Sequence, residues 1–65
     1  MARQTTAPRF LRLSEVRQMT CLGKTSIYAR INAGTFPRQI PIGSNSVVWL
    51  EKDVVAWMEK QMEEA

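Results

Sequence analysis

TCLGKTSIYARINAGTFP, residues 20–37, reads as a tight turn, a short helix with both ends marked, and an exit into extended chain. Gly23 stands where a helix N-cap belongs, and Lys24, Thr25 and Ser26 form the first turn. Leu22, just before the cap, is placed to staple onto Ile27 and set the entry angle. Ile27 and Ile31 are four apart and share one face. Gly34 follows the last periodic residue, as a left-handed C-terminal cap would, and Pro37 forbids continuation. A polar, cationic helix start directly after a tight turn is the layout of a helix-turn-helix recognition helix, which fits the major groove of DNA.

Upstream of this stretch, residues 1–8 are polar, aperiodic and contain Pro8, and they are expected to form a flexible basic arm. Phe10-Leu11-Arg12-Leu13 is a short apolar entry segment. Ser14 is the expected N-cap of a first helix running roughly from Glu15 to Thr20, with Glu15 at its positive end and Val16 and Met19 facing inward. Cys21-Leu22-Gly23 is the turn, in which Cys21 is expected to be a small buried packing residue. The second helix then spans Lys24 to Ala33.

Downstream, Pro41 restricts Arg38–Ile42 to a short edge strand, because proline has no N–H to give a ladder. Gly43-Ser44-Asn45-Ser46 is a dense turn signal, and Val47-Val48-Trp49 is β-branched and aromatic, hence a strand. A third helix starts near Glu51 and continues towards Met62, with Val54, Trp57, Met58 and Gln61 on one stripe. The expected fold is mainly α with a small β-hairpin: a winged helix-turn-helix of three helices plus a two-stranded wing over residues 9–62, followed by a tail at 63–65. Leu50 precedes the third helix and has no side chain that can cap it, at a cost of about 1 kcal/mol.

Sixty-five residues allow one domain whose core is small, since a chain of this size buries only ~60% of its unfolded surface. Trp49 and Trp57 are therefore expected to be core rather than stacking platforms. One cysteine permits no intrachain disulfide, and with no histidine neither a structural zinc nor any other cofactor is expected. No apolar run suggests a signal peptide or membrane span, so the expected compartment is the reducing cytoplasm, in association with the nucleoid. Catalysis is excluded on the same residues. There is no Gly-rich phosphate loop, no carboxylate pair away from the last helix, and no histidine to activate Cys21.

Charge is unevenly spread. Residues 1–43 carry Arg3, Arg9, Arg12, Arg17, Lys24, Arg30 and Arg38 against Glu15 alone, a balance of +6. Residues 44–65 carry Lys52 and Lys60 against Glu51, Asp53, Glu59, Glu63 and Glu64, a balance of −3. A basic body with an acidic last helix suits a polyanionic partner.

RFLRLSEV at 9–16, TSIY at 25–28, GTFP at 34–37 and V-x-WLEKDVVAW at 47–57 resemble, in their order and spacing, the AlpA family of small phage- and prophage-associated DNA-binding proteins. That family is similar to the MerR-type winged helix and to small excisionases. The resemblance covers roughly residues 9–60. It implies transcriptional regulation, often of a nearby integrase gene, or a direct role in excision. This chain departs from the pattern at three places. Ala29 follows the tyrosine of the second helix where the family usually has a basic residue, the wing turn Ser44-Asn45-Ser46 lacks the usual arginine, and Leu50 stands where a capping Ser or Asp is common.

On a helical wheel of about 100° per residue, Thr25, Ala29 and Asn32 face away from Ile27 and Ile31, with Ser26 and Tyr28 on the flanks. The expected DNA contacts are Lys24, Thr25 and Ser26 in the first turn, where backbone N–H groups can also hold a phosphate, then Tyr28 on a phosphate and Asn32 on a base edge. Arg12 and Arg38, with Arg9, flank the unit as phosphate contacts, and Asn45 at the wing tip faces a minor groove. Arg30 falls on the inward side, its head directed at Glu15 or a phosphate.

The leading reading is a sequence-specific double-stranded DNA binder acting as a transcriptional regulator. The alternatives are an excisionase working with an integrase, and a small protein-interaction module or inhibitor that docks its acidic last helix on a partner. An exposed apolar patch at Met58 or Met62 would point to the last of these. Integrase, transcription machinery and further copies of the chain on DNA are the expected additional partners, since so small a monomer makes few contacts by itself.

Overall fold

Val47–Leu50, a run of β-branched and large apolar residues, is the middle strand of the structure. The computed structural model describes residues 8–65, so the arm expected at 1–8 lies outside the described residues apart from Pro8. The elements in order are β1 (Phe10–Leu11), α1 (Leu13–Thr20), α2 (Lys24–Ala33), β2 (Ile40–Pro41), β3 (Val47–Leu50) and α3 (Glu51–Glu64). β3 pairs antiparallel with both other strands, giving the order β1-β3-β2. The register sets Leu11 opposite Trp49 on one side and Ile40 opposite Val48 on the other. Pro41 is on the edge strand, where its missing N–H is tolerated.

The expected two-stranded wing is thus part of a three-stranded sheet. The apolar entry segment Phe10–Leu11 supplies the third strand, because Leu11 gains full burial there beside Trp49. Leu11, Val16, Ile27, Phe36, Trp49 and Val54 form one buried cluster, so each helix and two of the strands contribute to a single core. Leu13, Met19, Leu22, Tyr28, Ile31, Trp57 and Met58 pack around it.

The helix ends differ from expectation in instructive ways. α1 begins at Leu13, two residues before the predicted start, and Ser14 lies inside it rather than capping it. Arg12 occupies the cap position, and its backbone N–H donates to Glu15 Oε1 at 2.9 Å. The carboxylate reaching back replaces a capping hydroxyl, and the earlier start lets Leu13 pack on the core. At the other end, Thr20 Oγ1 donates to the Val16 carbonyl at 2.8 Å. Cys21 is exposed, which corrects its assignment as a packing residue. It holds the left-handed conformation (φ 62°) that ends α1, with its N–H on the Arg17 carbonyl at 2.9 Å, and that backbone turn carries the side chain outward.

α2 ends as predicted. Gly34 has φ 80°, and Thr35 N–H closes onto the Arg30 carbonyl at 2.9 Å. α3 runs to Glu64, so most of the expected tail is helical. Leu50 provides no side-chain cap, but the Glu51 N–H donates to the Arg9 carbonyl at 2.8 Å, so chain from before β1 takes the role a capping side chain would have had. The Arg9 guanidinium adds ion pairs to Glu15 at 3.7 Å and Glu51 at 3.5 Å, fastening the starts of α1 and α3 together.

Candidate nucleic-acid interface

α2 carries the site because both its ends are defined locally and only its Ile27 side is buried. Ile27 is fully buried and Ile31 half-buried, which turns Lys24, Thr25, Ala29 and Asn32 outward. Lys24, Thr25, Tyr28, Ala29 and Asn32 together line one shallow, open depression along the helix. Among the described residues, no carboxylate pairs with Lys24, Arg12 or Arg38, so these cations are not neutralised locally.

Like α1 and α3, α2 starts without a side-chain cap on its first-turn N–H groups. Gly23 has φ −80° and ψ 168°, an extended geometry open to any residue, and no side chain caps the helix. The N–H groups of the first turn therefore face outward beside Lys24 without a side-chain acceptor. Tyr28 is half-buried, and its ring meets Trp49 edge-on at 6.2 Å. Trp49 is fully buried and its Nε1 donates to the Pro37 carbonyl at 3.1 Å.

The other expected site residues lie apart. Ser26, Arg12, Arg38 and Asn45 are exposed but do not line the depression. Asn45 sits in the turn between β2 and β3, which Ile42 N–H closes onto the Ser46 carbonyl at 3.0 Å. Two arginines change role. Arg9, expected on phosphate, is shared between Glu15 and Glu51. Arg30, expected on the inward side with its head at Glu15 or a phosphate, is exposed and lies over the Trp57 ring, 6.0 Å from its centroid. Sequence reasoning overlooked Arg17 and Gln18. With Ser14, Cys21, Leu22 and Gly23 they line a second concavity that runs up to the start of α2. The spacing 14, 17, 18, 21 is a helical stripe and was the available signal.

Residues 9–62 match the family described as prophage CP4-57 regulatory protein (AlpA). The chain belongs to the AlpA family. A relative, the uncharacterized protein ORF88 of Enterobacteria phage P4, is 43% identical over 53 residues, covering 82% of this chain. The chain spans 60% of that relative's length. The DNA-binding transcriptional activator AlpA of Escherichia coli K12 is 33% identical over 61 residues, covering 85% of this chain and 87% of its own. Ala29 stands on the wall of the α2 depression. No helix is long and apolar enough to cross a membrane, and among the described residues no cluster of histidine, cysteine and carboxylate side chains could hold a metal ion.

Proposed function

We propose that the chain is a sequence-specific double-stranded DNA-binding regulator of transcription, with α1 and α2 as a helix-turn-helix and the β2–β3 hairpin as its wing. The observation that carries this reading is the α2 depression, bordered by unpaired Lys24 and by an uncapped helix start. Lys24 and the first-turn N–H groups take a phosphate, Thr25 and Asn32 reach base edges, and Tyr28 is held at the groove wall by Trp49. Arg12 and Arg38 add phosphate contacts on either side, and Asn45 extends the wing towards the minor groove. The activator AlpA of E. coli, which aligns over most of both chains, supports a regulatory role. Prophage genes such as an integrase gene are the expected targets.

The test is protection mapping with the purified protein on DNA around its own gene and any adjacent attachment site. Protection at a promoter is the expected outcome. Protection confined to tandem sites in the attachment region would overturn regulation in favour of excision, because both tasks use the same docking surface. About four to six phosphate contacts give a log–log salt slope of roughly −4 to −5. Salt-independent binding, or no binding to any duplex at low salt, would refute the whole reading.

A further inference from the structure

Met19 at the end of α1 and Met58 and Met62 on α3 line an open groove of about 300 Å³ with Thr20, Trp57 and Gln61. Met62 is 69% exposed, the most exposed of the large hydrophobic residues among the described residues. The groove shares no residue with the α2 depression, so an occupant need not displace anything bound there. Thioether side chains are flexible and polarizable, and surfaces built from them accept apolar anchors of varied shape.

The rim is acidic. Glu59 and Glu63 follow Met58 and Met62 one position on and form the adjacent row along α3; Glu59, Met62 and Glu63 are exposed and Met58 is half-buried. Glu64 lies beside Gln61 and Trp57, and the last turn of α3 contains no basic residue, so its negative dipole end is uncompensated. Lys60, four residues before Glu64, lines the same cavity as Glu64, Gln61 and Trp57, so Glu64 has a cation beside it and the acidic row of the rim is Glu59 and Glu63. DNA is repelled by such a rim. A symmetric contact with a second copy would set one acidic row against another.

We propose that this groove docks a cationic amphipathic helix of a partner protein. Its apolar residues seat on Met19, Trp57, Met58 and Met62, and its lysines or arginines pair with Glu59 and Glu63. The last two turns of α3 match about two turns of such a helix laid in the groove. This surface is independent of the DNA reading and survives its failure.

The test uses the full chain labelled with 13C at the methionine methyls. The probes are a synthetic amphipathic helical peptide of leucine and lysine and its leucine–glutamate counterpart. The expected result is that the Met19, Met58 and Met62 methyl signals shift with the lysine peptide and not with the glutamate peptide. Met62→Ser lowers the lysine peptide's affinity about tenfold. Because Met62 is so exposed, that variant keeps the wild-type melting curve and affinity for duplex DNA. Reversing the rim with Glu59→Lys and Glu63→Lys switches preference to the glutamate peptide. Equal shifts with both peptides, or shifts indifferent to Met62→Ser, would overturn the proposal. So would concentration-dependent shifts of the same methyls without peptide, which would assign the groove to a second copy.

Discussion

The ring of Tyr28 meets the indole of Trp49 edge-on, with centroids 6.2 Å apart and planes at 68°. This contact joins the outer edge of α2 to the largest side chain of the core. It predicts that two substitutions at Tyr28 separate. Tyr28→Phe keeps the ring contact and should leave stability within about 0.5 kcal/mol, while losing the hydroxyl contact to DNA and several-fold in affinity. Tyr28→Ala should lose about 2 kcal/mol of stability as well, through the burial and aromatic contact removed. Denaturant melts beside binding titrations check this, and full affinity in Tyr28→Phe would show that the hydroxyl touches nothing.

Lys24→Ala and Thr25→Ala should differ in kind. Lys24→Ala weakens binding to all duplexes alike and reduces the salt slope by about 1. Thr25→Ala narrows the gap between specific and random DNA by ~1–2 kcal/mol, because it alters a base contact. Titrations of both variants on both kinds of duplex decide it, and equal losses on the two for Thr25→Ala would remove it from base readout.

The uncapped start of α2 predicts opposite effects on folding and binding. A Cβ at Gly23 would meet nothing within 4 Å, and its backbone is ordinary extended chain. Gly23→Asp should therefore cap the helix and raise stability by up to about 1 kcal/mol. It should also weaken DNA binding ~10-fold or more, since the carboxylate occupies the N–H groups and repels a phosphate. Gly23→Ala adds the Cβ without a charge and should bind nearly as wild type. A Gly23→Asp variant that binds DNA normally would show that no phosphate sits at this helix start.

Cys21 holds φ 62°, a conformation that costs an L-residue roughly 1 kcal/mol. Its side chain is exposed, so little packing is lost on removing it. Cys21→Gly should stabilise the fold by about 0.5–1 kcal/mol, and Cys21→Val should destabilise it, because β-branched residues tolerate this region worst. Melting curves for the pair test the assignment, and a Cys21→Val variant as stable as wild type would contradict it.

Trp57 is half-buried rather than fully enclosed, yet its Nε1 donates to the Thr35 carbonyl at 2.7 Å and its ring meets Phe36 edge-on at 4.9 Å. It ties α3 to the segment leaving α2. Trp57→Phe should cost about 1 kcal/mol, through the lost hydrogen bond, and Trp57→Ala about 3 kcal/mol. The latter is a large share of what so small a domain has. Trp57→Phe should bind DNA normally at temperatures where it is folded; a folded variant that had lost binding would make Trp57 a contact residue.

What could be read from the sequence was whatever is encoded within one helical turn or one strand repeat. The bounds of α2 follow from Gly23, Gly34 and Pro37, its outward residues from the Ile27–Ile31 spacing, and β3 from Val47-Val48-Trp49, because caps and periodicity act between near neighbours. The tertiary structure alone decided what depends on residues far apart in the chain. Phe10–Leu11 became a strand only because β3 offered it an unpaired edge. Arg9 left the set of free cations because Glu15 and Glu51 converge on it. Leu50 could go without a capping side chain because the Arg9 carbonyl lies against the start of α3. Cys21 faces solvent because closing the turn between α1 and α2 demanded a left-handed residue there, and a backbone angle set by how two helices meet leaves no mark in the local spacing of apolar residues.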